Sequence, residues 1–322
     1  MHRGRSASVV AVTLLVATGC SGTPTHASLP GAEAALQRSK VVVESGETSD
    51  QYRIASPPPD TTYDLRTFTS TAYPSESLYP LSFGKGSPGV RTVVVGGTVR
   101  GTAPDDATWQ DLKDNDDGAA LLMIGEDAFA SYDLRADDVF DMFRPRPPKD
   151  DLNGATFLIA GCRGSTIRDD AVENDDEMTG TIRDCVFDGV NSGVSIGQNK
   201  PNPDAVTTIE DSTFIFRPMP NTKAPDDVGH GVLFKQMGGG RVVMHDVLVC
   251  YTETPIAPDR LTNWMPGTYD NVTIVLGPSF DGNGDGDVKD LDYPGDLPEG
   301  VRQTRDWSRC DHPSTGPTDA EP

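Results

Sequence analysis

The sequence predicts an all-β fold, a right-handed parallel β-helix, which is a single-stranded solenoid of short strands. Short β-branched runs alternate with Gly, Asn and Asp over residues 90–307, without helical periodicity between them. An Asp or Asn also recurs three residues before an apolar residue. The chain of 322 residues contains 33 glycines and 26 prolines, which interrupt helices and favour turns between strands.

The recurring Asp or Asn sets the period of the expected coils. Its pairs with an apolar residue are Asp137 with Phe140, Asp184 with Phe187, Asp211 with Phe214, Asp246 with Val249, and Asn271 with Ile274. Successive positions are 47, 27, 35 and 25 residues apart, where 47 represents two units and 35 one unit plus a loop. A unit of about 24 residues with three short strands suits a solenoid. A β-sandwich also gives short strands but does not explain the repeat.

The N-terminus predicts export. Residues 1–19 have a basic start and an apolar run that is too short to span a bilayer, as in a signal peptide. Ala17-Thr18-Gly19-Cys20 resembles the lipobox of bacterial lipoproteins, which implies lipidation of Cys20 and anchoring on the extracytoplasmic face of the cell membrane. Ordinary secretion with cleavage elsewhere is the alternative.

Composition divides the rest of the chain. We expect a flexible tether over 20–50, an irregular N-terminal cap over 51–89 and a disordered tail over 308–322. Besides Cys20 there are four cysteines, which allow two disulfides in three connectivities outside the cytoplasm. Cys162 and Cys185 could equally be buried apolar residues, and their spacing does not indicate a zinc site.

The formal charge of −22 argues against a nucleic-acid partner, because phosphate binding needs clustered Lys and Arg, and the sequence has no such cluster. We expect a monomer whose partners are the membrane, through its lipid anchor, and a polysaccharide or cell-envelope glycan.

Several segments carry a resemblance to a known group of proteins. They are Thr166 to Asp175, Gly180 to Gly189, Gly229 to Lys235, Asn271 to Gly277 and Tyr293 to Val301. Together they resemble exported bacterial right-handed parallel β-helix proteins of the pectate-lyase-like superfamily, over about residues 90–307. The resemblance implies the fold more than an activity, because the group has no settled reaction.

Five carboxylates within eight residues form the densest candidate site: Asp169, Asp170, Glu173, Asp175 and Asp176. Close like charges raise some pKa values, so that one carboxyl serves as an acid and another as a base, or the group holds a hard cation. The resemblance to pectate lyases implies calcium against a uronate and a basic residue that removes a proton, for which Arg168, Arg183 and Lys235 are candidates. The alternative is an acidic rim of turn-capping side chains.

Gly229-His230-Gly231 resembles the Gly-His-Gly of polygalacturonases, inverting hydrolases of the same fold that carry an upstream Asp pair. Side chains one or two coils apart stack on one face, so we expect His230 and Lys235 to share a groove with that pair. The predicted catalytic residues are therefore Asp169, Asp170, Glu173, His230 and Lys235. The alternative for His230 is an exposed histidine in a glycine-rich turn.

The segment Asp281 to Asp292 resembles the calcium loop of EF-hands and dockerins. Its predicted oxygen ligands are Asp281, Asn283, Asp285, Asp287 and Asp292, with Gly286 at the sharp turn. The flanks are not helical, so we expect an isolated Ca²⁺ loop inserted in the last coil. A solvated Asp/Gly turn is the alternative.

These features favour a membrane-anchored protein that acts on polysaccharide as a lyase or glycoside hydrolase. Two other functions remain open at this point. One is non-catalytic glycan binding, and the other is a structural envelope lipoprotein stabilised by calcium. Fold alone separates them weakly, because β-helices also serve as binding and scaffolding proteins.

Overall fold

The computed structural model describes residues 30–38, 40–72, 79–102, 112, 118–125, 127–148, 155–197, 199–218, 231–236, 238–253, 264–280 and 296–311. Three predicted sites, Cys20, His230 and the loop Asp281–Asp292, lie outside these residues. No helix in the described ranges is long and apolar enough to cross a membrane.

Short strands account for most of the described chain, and two short helices flank them. The helices are α1 (Pro30–Leu36) and α2 (Ser308–Asp311). The strands are β1 (Val41–Thr48), β2 (Tyr52–Ile54), β3 (Thr62–Ser70), β4 (Leu81–Phe83), β5 (Thr92–Arg100), β6 (Ala119–Ile124), β7 (Ala128–Tyr132), β8 (Arg135–Val139), β9 (Asp141–Arg146), β10 (Thr156–Ala160), β11 (Arg163–Asn174), β12 (Thr179–Arg183), β13 (Val186–Ile196), β14 (Val206–Glu210), β15 (Thr213–Phe216), β16 (Phe234–Gln236), β17 (Arg241–His245), β18 (Leu248–Glu253), β19 (Gly267–Asp270), β20 (Val272–Ser279) and β21 (Val301–Thr304).

All named strand pairings are parallel, and they wind into three faces around one core. Face A contains the first halves of β1, β3 and β5, then β7, β10, β12, β14, β17 and β19. Face B contains their second halves, then β8, the first halves of β11 and β13, and β15, β18, β20 and β21. Face C contains β2, β4, β6, β9, the second halves of β11 and β13, and β16. The predicted right-handed parallel β-helix is confirmed.

The repeated Asp or Asn marks the corner between faces A and B. Asp184, Asp211, Asp246 and Asn271 have φ angles of 54°, 46°, 53° and 52°, the left-handed region that Asp and Asn tolerate best among residues with a side chain. Three residues later, the apolar side chains stack inside the core, and the ring centroids of Phe187 and Phe214 are 4.9 Å apart. The repeat therefore encodes a sharp corner followed by a core residue.

Asp137 does not belong to this corner, although the sequence pattern assigned it there. The register of β8, β11 and β13 places Asp133, Gly161 and Asp184 at equivalent positions, with φ angles of 56°, 68° and 54°. Asp137 lies within β8 and accepts a hydrogen bond from Ser165 Oγ at 2.6 Å. The 47 residues between Asp137 and Asp184 do correspond to about two coils, but the residue that occupies the corner position is Asp133.

The regular structure begins and ends outside the predicted coil domain. The expected tether over 20–50 contains α1 and β1, and the expected irregular cap contains β2, β3 and β4. Ala32 and Ala35 of α1 pack against Val93 and Val95 on the outer side of face A, while the β-branched start of β1 pairs with β3. Residues 308–311, expected in a disordered tail, form α2.

Two disulfides settle the connectivity that the sequence left open. Cys162 and Cys185 occupy stacked corner positions of neighbouring coils and are bonded to each other. Cys250 on β18 is bonded to Cys310 on α2, across a sequence separation of 60 residues. The second bond explains why α2 is ordered, because it ties the helix to the last coils, where Cys310 is 1% exposed.

Candidate functional site

Three aspartates and one lysine from three strands meet on face C. Asp141 begins β9, Asp169 and Asp170 lie in the middle of β11, and Lys235 lies on β16. Lys235 Nζ lies 2.6 Å from Asp169 Oδ1 and 3.1 Å from Asp170 Oδ2. Asp141 Oδ1 accepts the backbone N–H of Asp170 at 2.8 Å. We call these four residues the acidic centre.

A bulge in β11 explains why two consecutive aspartates bind the same lysine. In a regular strand, adjacent side chains point to opposite faces. Between Ile167 and Asp170, however, β11 advances three residues while β13 advances two. The extra residue breaks the alternation, so that Asp169 and Asp170 both reach Lys235.

Lys235 itself lies at a second irregularity. The pairing of β13 with β16 passes from Val194 with Phe234 directly to Ser195 with Gln236. Lys235 is therefore the extra residue of a bulge, a feature that re-aims a side chain. Both partners of the central ion pairs thus depend on bulges, one on each strand.

Further ion pairs extend the acidic centre along β11. Glu173 Oε2 lies 2.8 Å from Arg144 Nε, and both side chains are nearly buried. Beyond it, Asp175 accepts a hydrogen bond from Ser195 Oγ at 2.6 Å. Asp176 then lies 3.4 Å from Arg146 Nε. These two residues hold the turn at the end of β11 rather than contacting Lys235.

Burial changes the acidity of the centre. Burial, and then the charge of Asp169, raises the pKa of Asp141 to about 7 and that of Asp170 well above its ordinary value. Burial, and then the charge of Asp141, raises the pKa of Glu173 to about 11. Burial lowers the pKa of Lys235, but the charges of Asp170 and Asp169 outweigh it and the pKa is raised. Lys235 therefore stays protonated at neutral pH.

The charges do not balance if every group is ionised. Four carboxyls, those of Asp141, Asp169, Asp170 and Glu173, face two cations, Lys235 and Arg144. Retaining protons relieves this excess, which agrees with the raised pKa values of Asp141 and Glu173. Protonated and ionised carboxyls therefore coexist in one place.

Two buried polar atoms at the acidic centre have no hydrogen-bond partner among the described residues. They are Asp170 Oδ1 and, beside it, Arg168 Nη1. Glu173 Oε2 and Asp176 Oδ1 instead have cations nearby, Arg144 Nε at 2.8 Å and Lys200 Nζ at 3.8 Å. Buried polar atoms without partners are costly, and they are typical of a site that receives water or a ligand.

The structure brings together four of the five predicted catalytic residues: Asp169, Asp170, Glu173 and Lys235. The two arginines proposed as alternative bases lie in other ion pairs, Arg168 with Asp138 at 2.7 Å and Arg183 with Asp184 at 3.9 Å.

Asp141 and Arg144 were missed by the sequence reasoning. They lie one coil earlier, beside the misassigned Asp137, and only the correct register of β9 with β11 would have shown them to be neighbours of the acidic strand.

The three aspartates are the described residues whose spacing would suit a metal ion. The nearest oxygens of Asp141, Asp169 and Asp170 all lie within 4.8 Å of one another. The ammonium of Lys235 already lies at hydrogen-bonding distance from two of them. The ammonium group of Lys235 therefore supplies a positive charge next to these aspartates.

Comparison with known proteins adds no assignment: no family model, curated protein or solved structure matches this chain.

Proposed function

We propose that this protein is a glycoside hydrolase that cleaves a polysaccharide at the acidic centre. The observation that carries the proposal is the excess of buried carboxyls over cations on face C. Glycoside hydrolysis requires one carboxyl that donates a proton and a second that stays ionised. Asp141 suits the donor because its pKa of about 7 lies near neutral pH. Asp169, paired with Lys235, is the proposed carboxylate.

Hydrolysis is preferred here over β-elimination. Elimination requires a base to remove the proton next to the uronate carboxylate, and Lys235 is the basic side chain at the centre. Because the raised pKa of Lys235 keeps it protonated, it suits charge stabilisation and substrate contact better than proton removal. Its side chain is also 20% exposed, more than the 7% of Asp169 and 3% of Asp170, so a sugar would meet it first.

The cellular setting is part of the same proposal. Lipidation of Cys20 would hold the protein on the outer face of the membrane, where the polymer is a substrate or envelope glycan. Two disulfides support an oxidising compartment. Calcium bound at Asp281 to Asp292 would stabilise the last coil. The resemblance to pectate-lyase-like proteins supports a polysaccharide as the substrate but does not identify which polysaccharide it is.

A non-catalytic glycan-binding lipoprotein is the second candidate. It is favoured by the nearly complete burial of the three aspartates, none of which is more than 5% exposed as a residue. In that case the ion pairs would serve to stabilise face C.

A polysaccharide panel separates the two candidates. The domain from residue 30 onward, which includes α1, is incubated with plant, bacterial and host polysaccharides, with and without calcium. New reducing ends without unsaturated uronate products support hydrolysis. Unsaturated products would replace hydrolysis by elimination, and binding without cleavage of any polymer would favour the second candidate.

A further inference from the structure

The turn after β11 contains a buried glutamate that none of the functions above uses. Glu177 is 1% exposed and has a left-handed φ of 47°. We propose that Glu177 is a positioning residue that holds Lys235 over Asp169 and Asp170 by binding the loop Gly238–Gly240. This inference rests on the proposed function only in treating Lys235 as part of the site.

The carboxylate of Glu177 binds backbone N–H groups from two separate loops. Gly239 donates to Oε2 at 3.0 Å and Gly240 to Oε1 at 2.6 Å. The N–H of Asn202 also donates to Oε2. The carboxyl group of Glu177 therefore links both loops to the turn, and for the loop that contains Asn202 it adds to the backbone hydrogen bonds from Asn199 and Lys200 to Asp175 O.

The glycines of the loop fit closely around Glu177. A Cβ atom on Gly238 would overlap the Glu177 carboxyl group, and one on Gly240 would meet Ala205 O at 2.6 Å and Glu177 Oε1 at 2.9 Å. A Cβ atom on Gly239 would instead meet Pro203 at 3.4 Å, an ordinary contact. Within this run of three glycines, the Glu177 carboxyl group therefore requires a small residue at Gly238 but not at Gly239.

This loop begins two residues after the end of β16, the strand that carries Lys235. Strand β16 has only three residues, contains the bulge at Lys235 and pairs with β13. Before the bulge, the backbone is held by two bonds, from Gly193 N–H to Val232 O at 2.9 Å and from Val194 N–H to Leu233 O at 2.7 Å. Beyond the bulge, Glu177 binds the chain at Gly239 and Gly240. A short bulged strand needs support on both sides to fix its side chain.

Glu177 is in turn fixed relative to the aspartates. The side chain of Asn174 closes the turn through two 2.9 Å hydrogen bonds with the backbone of Met178. Strand β11, which ends at Asn174, also carries Asp169 and Asp170. One strand thus positions the carboxylates directly and, through Glu177, the lysine that pairs with them.

The test compares two variants of the same loop with the same added methyl group. In Gly238→Ala the methyl displaces the Glu177 carboxylate, whereas in Gly239→Ala it does not. The readout is acetylation by acetic anhydride, which transfers an acetyl group to a neutral amine and releases acetate. The rate at Lys235 relative to the exposed Lys40 is measured by mass spectrometry.

We expect the relative rate at Lys235 to rise about tenfold or more in Gly238→Ala, because each unit of lowered pKa gives ten times more neutral amine. Gly239→Ala should react like the wild type. Equal rates in all three proteins would overturn the proposal.

Glu177→Gln provides a second variant if Gly238→Ala does not fold. It keeps one acceptor oxygen and the side-chain shape, so an intermediate rise is expected, and an unchanged rate would contradict the proposal. Ile274→Val, a core change in β20, controls for general loss of stability and should leave the rate unchanged. Because acetylation needs no substrate, a positive result stands even if no polysaccharide is cleaved.

Discussion

Lys235 Nζ lies 2.6 Å from Asp169 Oδ1, although 66 residues separate the two in the chain. The solenoid makes this contact possible because strands of successive coils stack in register. Residues that are far apart in the sequence can therefore lie on neighbouring coils. The two bulges then turn both side chains toward the same point.

The first prediction concerns Asp170. Asp170→Asn should abolish polysaccharide cleavage, because it removes one of the two carboxylates that position Lys235 beside the proposed carboxylate, Asp169. The melting temperature should stay nearly unchanged, because the amide keeps the shape and Lys235 keeps Asp169 as its partner. Reducing-end assays and thermal unfolding measure the two quantities. The control is Asp211→Asn, at an exposed corner where Asn is tolerated. Unfolding in proportion to lost activity would assign Asp170 a structural role.

The second prediction is a fall in stability as the pH rises. Asp141 has a raised pKa of about 7 when folded, against an ordinary 3.8. The folded state therefore holds a proton that the unfolded chain releases, and the associated stability is complete below about pH 4 and lost as pH rises through about 7. Urea unfolding at about pH 5 and about pH 7.5 measures this fall.

Asp141→Asn should make that slope shallower, because its amide does not titrate. A smaller slope should remain, because the pKa values of Asp170 and Glu173 are also raised in the folded state. Asp211→Asn serves again as the control and should keep the slope of the wild type. An unchanged slope in Asp141→Asn would mean that Asp141 does not titrate in this range.

The third prediction is stabilisation by calcium through Asp281, Asn283, Asp285, Asp287 and Asp292. Asp292 is shorter than the usual Glu, so the affinity should be about 10⁻⁴ to 10⁻³ M. At a hundredfold excess, linkage gives roughly 2.7 kcal/mol of added stability. The melting temperature should rise with calcium in the wild type but not in Asp281→Ala/Asp285→Ala. Asp290→Ala, at a position of the loop that supplies no predicted ligand, should still respond. An equal rise in the double variant would place the ion elsewhere.

The fourth prediction is lipidation of Cys20. Cys20→Ser should abolish metabolic labelling by fatty acid and leave the precursor released or poorly processed, because the acylated thiol is gone. Membrane fractionation provides an independent measurement. Unchanged labelling in this variant would exclude Cys20 as the lipidated residue.

The sequence alone predicted the repeating coils of the solenoid, but it did not identify the corner residue of every coil. Asp184 and Asp211 occur where a left-handed corner is needed, and the residue three positions later always enters the core, so local chemistry encodes this repeat. Asp133 escaped notice because Ala136, a small residue, follows it where the other coils have larger apolar side chains.

The candidate site was predictable only in part. The density of acidic residues identified Asp169 and Asp170, because it is visible within a few positions of the chain. The bulges that turn them toward Lys235 depend on pairing between coils, which the order of residues in a single strand does not reveal. The partnership of Glu177 with a glycine loop 62 residues away was hidden for the same reason.

The disulfide between Cys250 and Cys310 determines which end of the solenoid unfolds first. In a stack where each coil contacts only its neighbours, opening starts at the two ends. The crosslink restrains the C-terminal end, whereas β1 at the other end is largely exposed, with Val43 49% exposed. Amide protons of β1 should therefore exchange with deuterium before those of β20. After reduction of this bond, the C-terminal coils should open as readily as the N-terminal coils.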